Sequence, residues 1–288
     1  MTKEFSIVGA GRVGATLAAA LVRRGWKLEA IVDRRGGAAL EAHRLAGTGR
    51  VSTDPAAAAR AKGLVIIAAP DDAVGRAASA LARSGGSWEG RDVFHTSGLL
   101  PASVLAPLSR RGARVASLHP AQSFPSTNLP ASVFKGITWG IEGDAGAVET
   151  GREIVRSLGG HVLLLAAKDK ALYHAACALA SNAFVALEYT AAKVLKEAGL
   201  DGDAASRTLM PLVQGTLQNV KSLGLEKALT GPVARGDVDT VRRHLAALRR
   251  DPAARRIYAA LGRQALQLAG ARGVPAAKIR ALRRLLGG

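Results

Sequence analysis

Three groups of residues in this chain could do chemistry. The first is Gly9-Ala10-Gly11-Arg12-Val13-Gly14. Glycines at this spacing allow a tight turn (Gly9), a close backbone approach to a pyrophosphate (Gly11) and close packing of a helix on a strand (Gly14). A helix starting at Arg12 and Val13 would add unpaired amides and a positive dipole end for phosphate oxygens. The second group comprises His95-Thr96-Ser97-Gly98 and His119-Pro120-Ala121-Gln122-Ser123, with Pro70-Asp71-Asp72 upstream. Histidines beside hydroxyls and amides are equipped for proton transfer near neutral pH, although a histidine satisfied by its own neighbours reads the same way. The third is a stripe. At about 100° per residue, Lys170, His174, Cys177 and Ser181 fall on one face of a predicted helix over 169–195, with Asn182 beside them. On an alanine-rich helix that stripe reads as the wall of a substrate cleft, with Lys170 or His174 as proton donor; the alternative is an exposed polar face. No pair of His or Cys has metal-ligand spacing, so no metal is expected.

The elements that must hold these groups alternate. Short apolar runs at Phe5–Val8, Lys27–Val32, Arg50–Ser52, Leu64–Ala69, Asp92–His95, Arg114–Leu118, Ile137–Ile141 and Val162–Leu165 read as strands. Helical stretches separate most of them, including one over Ala102–Arg110 and one that Asp71 or Asp72 could cap. Continuous apolar strands alternating with helices predict an α/β fold: a Rossmann-type, mostly parallel sheet covered on both faces. The polar clusters then sit at the carboxyl ends of strands, where ligands bind in open parallel sheets. The domains expected are a dinucleotide-binding domain over 1–166 and a helical substrate domain over 167–288. In the second, a helix over 203–223 should bend near Pro211, residues 230–237 should form a loop, and Asp237 or Asp239 should cap the helix after it.

Asp33, at the end of the second strand, lies about 20 residues past the glycine loop, where a carboxylate would accept from a ribose 2′-hydroxyl and favour NAD. Arg34 and Arg35 follow directly, and arginine there can hold a 2′-phosphate, favouring NADP. The two arginines tip the expectation toward NADP, with NAD as the alternative.

Composition narrows the class. With 288 residues, 48% hydrophobic and 22% charged, the chain has the balance of a folded protein. The single Cys177 excludes a disulfide framework and points to a reducing, cytoplasmic setting. No apolar run approaches the roughly 18 residues that a membrane span needs, so no membrane partner is expected. The formal charge of +18 divides into +7 over 1–166, zero over 167–241 and +11 over 242–288. In that last segment the arginine pairs interrupt an apolar stripe of Val241, Leu245, Leu248, Ile257, Leu261, Ile279, Leu282 and Leu286. They belong on solvated helix faces, and nucleic acid is not the expected partner.

With these motifs assembled, the chain resembles a bacterial family of Rossmann-like proteins of unknown function that carry the label NADP oxidoreductase. It looks related to pyrroline-5-carboxylate reductase and to the 6-phosphogluconate-dehydrogenase-like superfamily. GAGRVG, AAPDDAVG, HTSG, SLHPAQSFP, KALYHAACALASN and LTGPVARGD carry the likeness, from residue 7 to about 245. The resemblance implies a Rossmann domain, a helical C-terminal domain and a homodimer through its helices. In the hydroxyacid branch of that superfamily a helix lysine handles the proton and an asparagine follows four residues later; here Lys170 is followed by His174. His119-Pro120 is similar to the His-Pro of prephenate dehydrogenases, where the histidine polarises a substrate hydroxyl.

The expected activity is hydride transfer between a nicotinamide cofactor and a small, anionic C–O or C–N substrate in an interdomain cleft. Gly9, Gly11, Arg12, Val13 and Gly14 would hold the pyrophosphate, and Asp33, Arg34 and Arg35 the adenosine end. Pro70, Ser97 and Gly98 would line the nicotinamide side; His119, Lys170, His174 and Asn182 are the candidates for catalysis. The alternative is a dinucleotide-binding redox sensor or partner-binding protein without catalysis.

Overall fold

In the computed structural model, residues 3–271 and 273–287 are described. The chain divides into two units, 1–181 and 182–288, later than the 166/167 division expected.

The first unit is built on eight strands in the order β3-β2-β1-β4-β5-β6-β7-β8. β1 (Glu4–Val8) leads through α1 (Arg12–Arg23) to β2 (Lys27–Val32), and α2 (Gly36–Ala46) precedes β3 (Arg50–Ser52). After α3 (Ala56–Arg60) the chain crosses to the other side of β1. It adds β4 (Leu64–Ile67), α4 (Asp71–Arg83) and β5 (Asp92–His95) there. The stretch expected as a helix over 102–110 is a 3-10 turn followed by the single-turn α5 (Ala106–Ser109). β6 (Arg114–Pro120), β7 (Thr138–Gly143), α6 (Ala145–Leu158) and β8 (His161–Leu164) complete the sheet. Pairing is parallel throughout except between β6 and β7, where the chain reverses. The strand order reverses direction of growth between β1 and β4, which is where a crevice opens in such sheets.

Burial explains the strands. Along β4, Leu64 and Ile66 enter one core with Phe5, Leu17 and Trp139, while Val65 and Ile67 enter the other with Val74 and Trp88. Period-two side chains that are apolar on both faces need helices on both faces, and α1, α2 and α6 cover one while α3, α4 and α5 cover the other. The N-cap of α4 is Pro70 rather than an aspartate; Asp71 and Asp72 lie in its first turn, near the positive end of the helix dipole.

The single helix predicted over 169–195 is two. α7 (Lys170–Ala180) closes the first unit, Ser181 departs from helical geometry (φ −115°, ψ −69°), and α8 (Asn182–Glu197) opens the second. The run 167–197 bears on the expectation about membrane spans without overturning it. It is long and apolar enough to cross a membrane by length and composition alone. Short apolar runs at 175–180 and 183–187, separated by Ser181 and Asn182, give it that composition.

The second unit is helical. α9 (Gly202–Ala228) carries Pro211 inside it, yet its break is at Gly224, whose φ of +77° no helix accommodates. The expected loop at 230–237 is mostly a short helix, α10 (Gly231–Arg235), started by Pro232 and ended by Gly236. Asp237 caps α11 (Val238–Ala247) by accepting from the Thr240 amide, as expected for one of the two aspartates. α12 (Pro252–Ala271) and α13 (Ala276–Leu285) follow. Val241, Leu245, Leu282 and Leu286 are buried together, whereas Ile257 and Leu261 are exposed. Every arginine of the pairs Arg242-Arg243, Arg249-Arg250, Arg255-Arg256 and Arg283-Arg284 is exposed.

Candidate cofactor and substrate site

The glycine loop joins β1 to α1 at the switch point. Gly9 has φ +97°, and a Cβ on it would lie 2.6 Å from the Ala68 carbonyl oxygen after β4. Gly14 is tighter still: its Cβ would meet the Gly9 carbonyl oxygen, so α1 starts hard against the turn. Gly11 differs from both, because nothing lies within 4 Å of its Cβ position. Two glycines are thus demanded by the protein's own packing, and the third opens onto free space. Gly11 is also the N-cap of α1 and supplies no capping side chain. The amides of that first turn are left for an outside acceptor. Arg12 is exposed and Val13 half-buried there.

A cleft of about 560 Å³ runs from this loop along the ends of β1, β2 and β4. Gly9, Gly11, Asp33, Arg34, Arg35 and Pro70 line it, all of them anticipated. Thr53 and Arg76 also line it and were not anticipated, since nothing local in the sequence marks them. The Asp33 carboxylate is engaged within the protein: one oxygen accepts from the Ala10 amide (2.8 Å) and the other from the Arg35 amide (2.8 Å). It braces the glycine loop and the turn after β2. The Arg35 side chain is 75% exposed and leans on Asp33 only at 3.5 Å.

A second group of side chains gathers where β5 and β6 end. His95, the last residue of β5, is fully buried; its Nδ1 accepts from the Ser97 amide (3.2 Å) and its Nε2 lies 3.3 Å from the Pro101 carbonyl oxygen. It is a structural histidine that shapes the following turn. Ser97 is likewise committed, its Oγ accepting from the amides of Leu99 and Leu100. His119 lies within β6, which runs on to Pro120.

α7 brings the remaining groups. Lys170 is buried, at 1% exposure, and its Nζ donates to the Ser97 carbonyl (3.0 Å) and to Ser117 Oγ. Burial lowers its pKa to about 8, against the pull of Glu142 and Asp71. Burial first and Lys170 second push His95 and His119 each down to about 4; His174 adds to the effect on His119, and His119 to that on His95. The rings of His119 and His174 stand edge-to-face, 6.0 Å between centroids. Both meet Gly98, whose Cβ would be 2.9 Å from His119 Nε2 and 2.6 Å from His174 Cδ2.

The structure therefore brings together Lys170, His174, His119, Ser97 and Gly98. The predicted stripe does not survive as a stripe: Lys170 is buried, Cys177 half-buried, and Ser181 exposed at the helix break. Asn182 opens α8 in the second unit and is exposed. Two members were missed. Ser117 was readable as a polar residue inside an apolar strand, and Tyr173 as the neighbour of His174. Among the described residues no cluster could hold a metal ion.

Two family models match this chain: a Rossmann-like domain over residues 2–120 and a domain of unknown function, DUF2520, over residues 137–265. No curated protein matches. Among solved structures, the chain is similar to the "putative NADP oxidoreductase" BF3122 of Bacteroides fragilis (24% identity, 92% of this chain and 98% of that one, TM-score 0.75). It is also similar to a reductive aminase of Aspergillus terreus solved with NADPH and ethyl levulinate (18% identity, 98% of each chain, TM-score 0.65). A third is a pyrroline-5-carboxylate reductase of Coxiella burnetii (15% identity, 99% of each chain, TM-score 0.61). At these identities the likeness is one of fold, and it agrees with the resemblance carried by the motifs.

Proposed function

We propose that this chain is an NADP-dependent oxidoreductase acting on a small, anionic substrate with a C–O or C–N bond to reduce or oxidise. The observation that carries the reading is the pairing of two features in one sheet. An uncapped helix start and an open Gly11 stand at the switch point, and a cluster of titratable side chains stands at the ends of β5 and β6. When bound, the cofactor supplies the hydride chemistry. The chain's own residues bind and orient. Gly9 and Gly14 shape the loop, and the first-turn amides with Gly11 suit the pyrophosphate. Arg34 and Arg35 suit a 2′-phosphate, and the Asp33 carboxylate, with each oxygen already accepting from a backbone amide, has less acceptor capacity left for a ribose hydroxyl. That favours NADP over NAD.

At the other end, Pro70 and Gly98 border the nicotinamide side, and Ser97 supports the turn. Lys170 holds Ser97 and Ser117 and contributes positive potential that suits an anion. His119 and His174, side by side at Gly98, are the groups best placed to hold or move a substrate proton. Asn182 is kept as a further candidate. The second unit would contribute to a homodimer: Val185 and Tyr189 on α8 and Leu212, Leu217 and Leu225 on α9 are each more than half exposed. A cytoplasmic, reducing setting suits the free Cys177.

The test is a titration with NADPH and NADH followed by turnover on a panel of imines, ketoacids and semialdehydes. Binding of NADPH, turnover of a panel member, and loss of turnover in His174→Ala with binding retained would support the reading. If neither cofactor binds at millimolar concentration, the reading is wrong; binding without turnover favours the sensor.

A further inference from the structure

Tyr173 reaches the site by a path that the fold has cleared for it. Its hydroxyl lies 3.0 Å from His119 Nδ1, and the two rings meet edge-on, 5.6 Å between centroids and 87° between planes. Gly140 is paired directly with His119 across β6 and β7. A Cβ on Gly140 would stand 3.0 Å from both the Tyr173 hydroxyl oxygen and its Cζ, and 2.9 Å from Leu165 Cδ1. Any larger residue at 140 would push the phenol off the imidazole. The other ring nitrogen, His119 Nε2, lies beside Gly98 and makes no hydrogen bond among the described residues.

We propose that Tyr173 is a positioning residue: its hydroxyl donates to His119 Nδ1, which leaves the imidazole proton on Nε2 and makes that nitrogen a hydrogen-bond donor to an acceptor atom of the substrate at Gly98. A neutral imidazole has one donor and one acceptor nitrogen, so the partner of Nδ1 decides the role of Nε2. Three groups face the phenol oxygen: His119 Nδ1, the Gly140 amide and the Cys177 thiol. The Gly140 amide can only donate to it. The phenol's own proton then goes to the better of two acceptors, and an imidazole nitrogen accepts more strongly than a thiol. Burial keeps the phenol protonated, with Cys177 reinforcing and Gly140 opposing. Burial and the charge of Lys170 keep the imidazole neutral at pH 7. The substrate-directed part of the proposal rests on the oxidoreductase reading; the tautomer does not.

The experiment is two-bond ¹H–¹⁵N correlation NMR of the full chain labelled with ¹⁵N-histidine at pH 7, with His119 assigned through His119→Asn. The expected spectrum has a protonated Nε2 and an acceptor Nδ1 for His119. In Tyr173→Phe that pattern should give way to a mixture of tautomers or invert, while NADPH binding stays within twofold. Gly140→Ala, which keeps the phenol but displaces it, should shift the tautomer in the same direction. A protonated Nδ1 in the unsubstituted protein overturns the proposal, as does an unchanged His119 pattern in folded Tyr173→Phe. If neither variant folds, the spectrum of the unsubstituted protein decides by itself. Failure of NADPH to bind would sink the oxidoreductase reading and leave the tautomer assignment standing.

Discussion

Acid should unfold the first unit earlier than its carboxylates require, and the structure sets the size of the effect. His95 and His119 are held at about 4, chiefly by burial and next by the charge of Lys170, against 6.5 for the free side chain. A base whose pKa is lower in the folded state binds more protons when unfolded, so stability is complete above pH 6.5 and falls as pH drops from 6.5 toward 4. The full shift corresponds to about 3 kcal/mol per histidine, and at pH 5 about 2 kcal/mol of it is already lost. Two histidines then remove about 4 kcal/mol between pH 7 and pH 5, a large part of the usual stability of ~5–15 kcal/mol. Urea unfolding followed by tryptophan fluorescence suits the question, because Trp26, Trp88 and Trp139 are all buried in this unit. His119→Gln should halve the loss between pH 7 and pH 5, to about 2 kcal/mol, whatever it does to stability at pH 7. Equal stability at the two pH values would refute the burial argument, as would an undiminished loss in His119→Gln.

Other outcomes follow from the same geometry. Arg34→Ala with Arg35→Ala should weaken NADPH by about ten- to a hundredfold, the loss of one charge-assisted contact, and leave NADH within a few fold by calorimetry. Gly14→Ala should cost the fold, since its Cβ has no room against the Gly9 carbonyl, whereas Gly11→Ala should melt within a few degrees of the unsubstituted protein and lose cofactor binding. Leu212→Asp with Leu217→Asp should convert a dimer to a monomer in light scattering while leaving the far-ultraviolet spectrum unchanged, because both side chains are exposed in the single chain.

Much of the sheet was legible because its strands are short apolar runs bounded by Gly, Pro or Asp, and strands such as β2 and β5 fall where the residues place them. The reversal between β6 and β7 was not, because a buried strand reads the same in either direction. The break between α7 and α8 carries no Gly or Pro; only tertiary structure decides it. In α9 the residue that looked like the breaker was the wrong one. Pro211 removes one amide from the helical ladder and can be absorbed, while Gly224 turns to a positive φ and cannot continue the helix. The helix α10 was missed for lack of weight given to order: a Pro at the start and a Gly at the end signal a helix, not a loop. In the site, spacing placed Lys170 and His174 on one element correctly, but it could not show that the lysine is consumed by Ser97 and Ser117. Nor could it show that Asp33 is consumed by two amides.

That consumption is what gives the charges of this chain their separate meanings. Beyond residue 241 the paired arginines are exposed, with Arg242 meeting Asp239 on its own helix, and the half-buried Arg263 donates to the Leu286 carbonyl. Arg34 and Arg35 are also exposed, but they border a cleft in which their two charges outnumber the single one of Asp33, whose carboxylate is held by the Ala10 and Arg35 amides, so a net positive field remains for an anion there. Lys170 is the opposite case. It is buried and fixed by a carbonyl and a hydroxyl, and its charge adds to burial in holding two neighbouring imidazoles neutral. A histidine kept neutral at pH 7 can present either a proton or a lone pair to a substrate, and which of the two it presents is a matter of its other nitrogen. At His119 that nitrogen faces Tyr173, so burial, helped by the lysine, sets the charge of the imidazole and the tyrosine its direction.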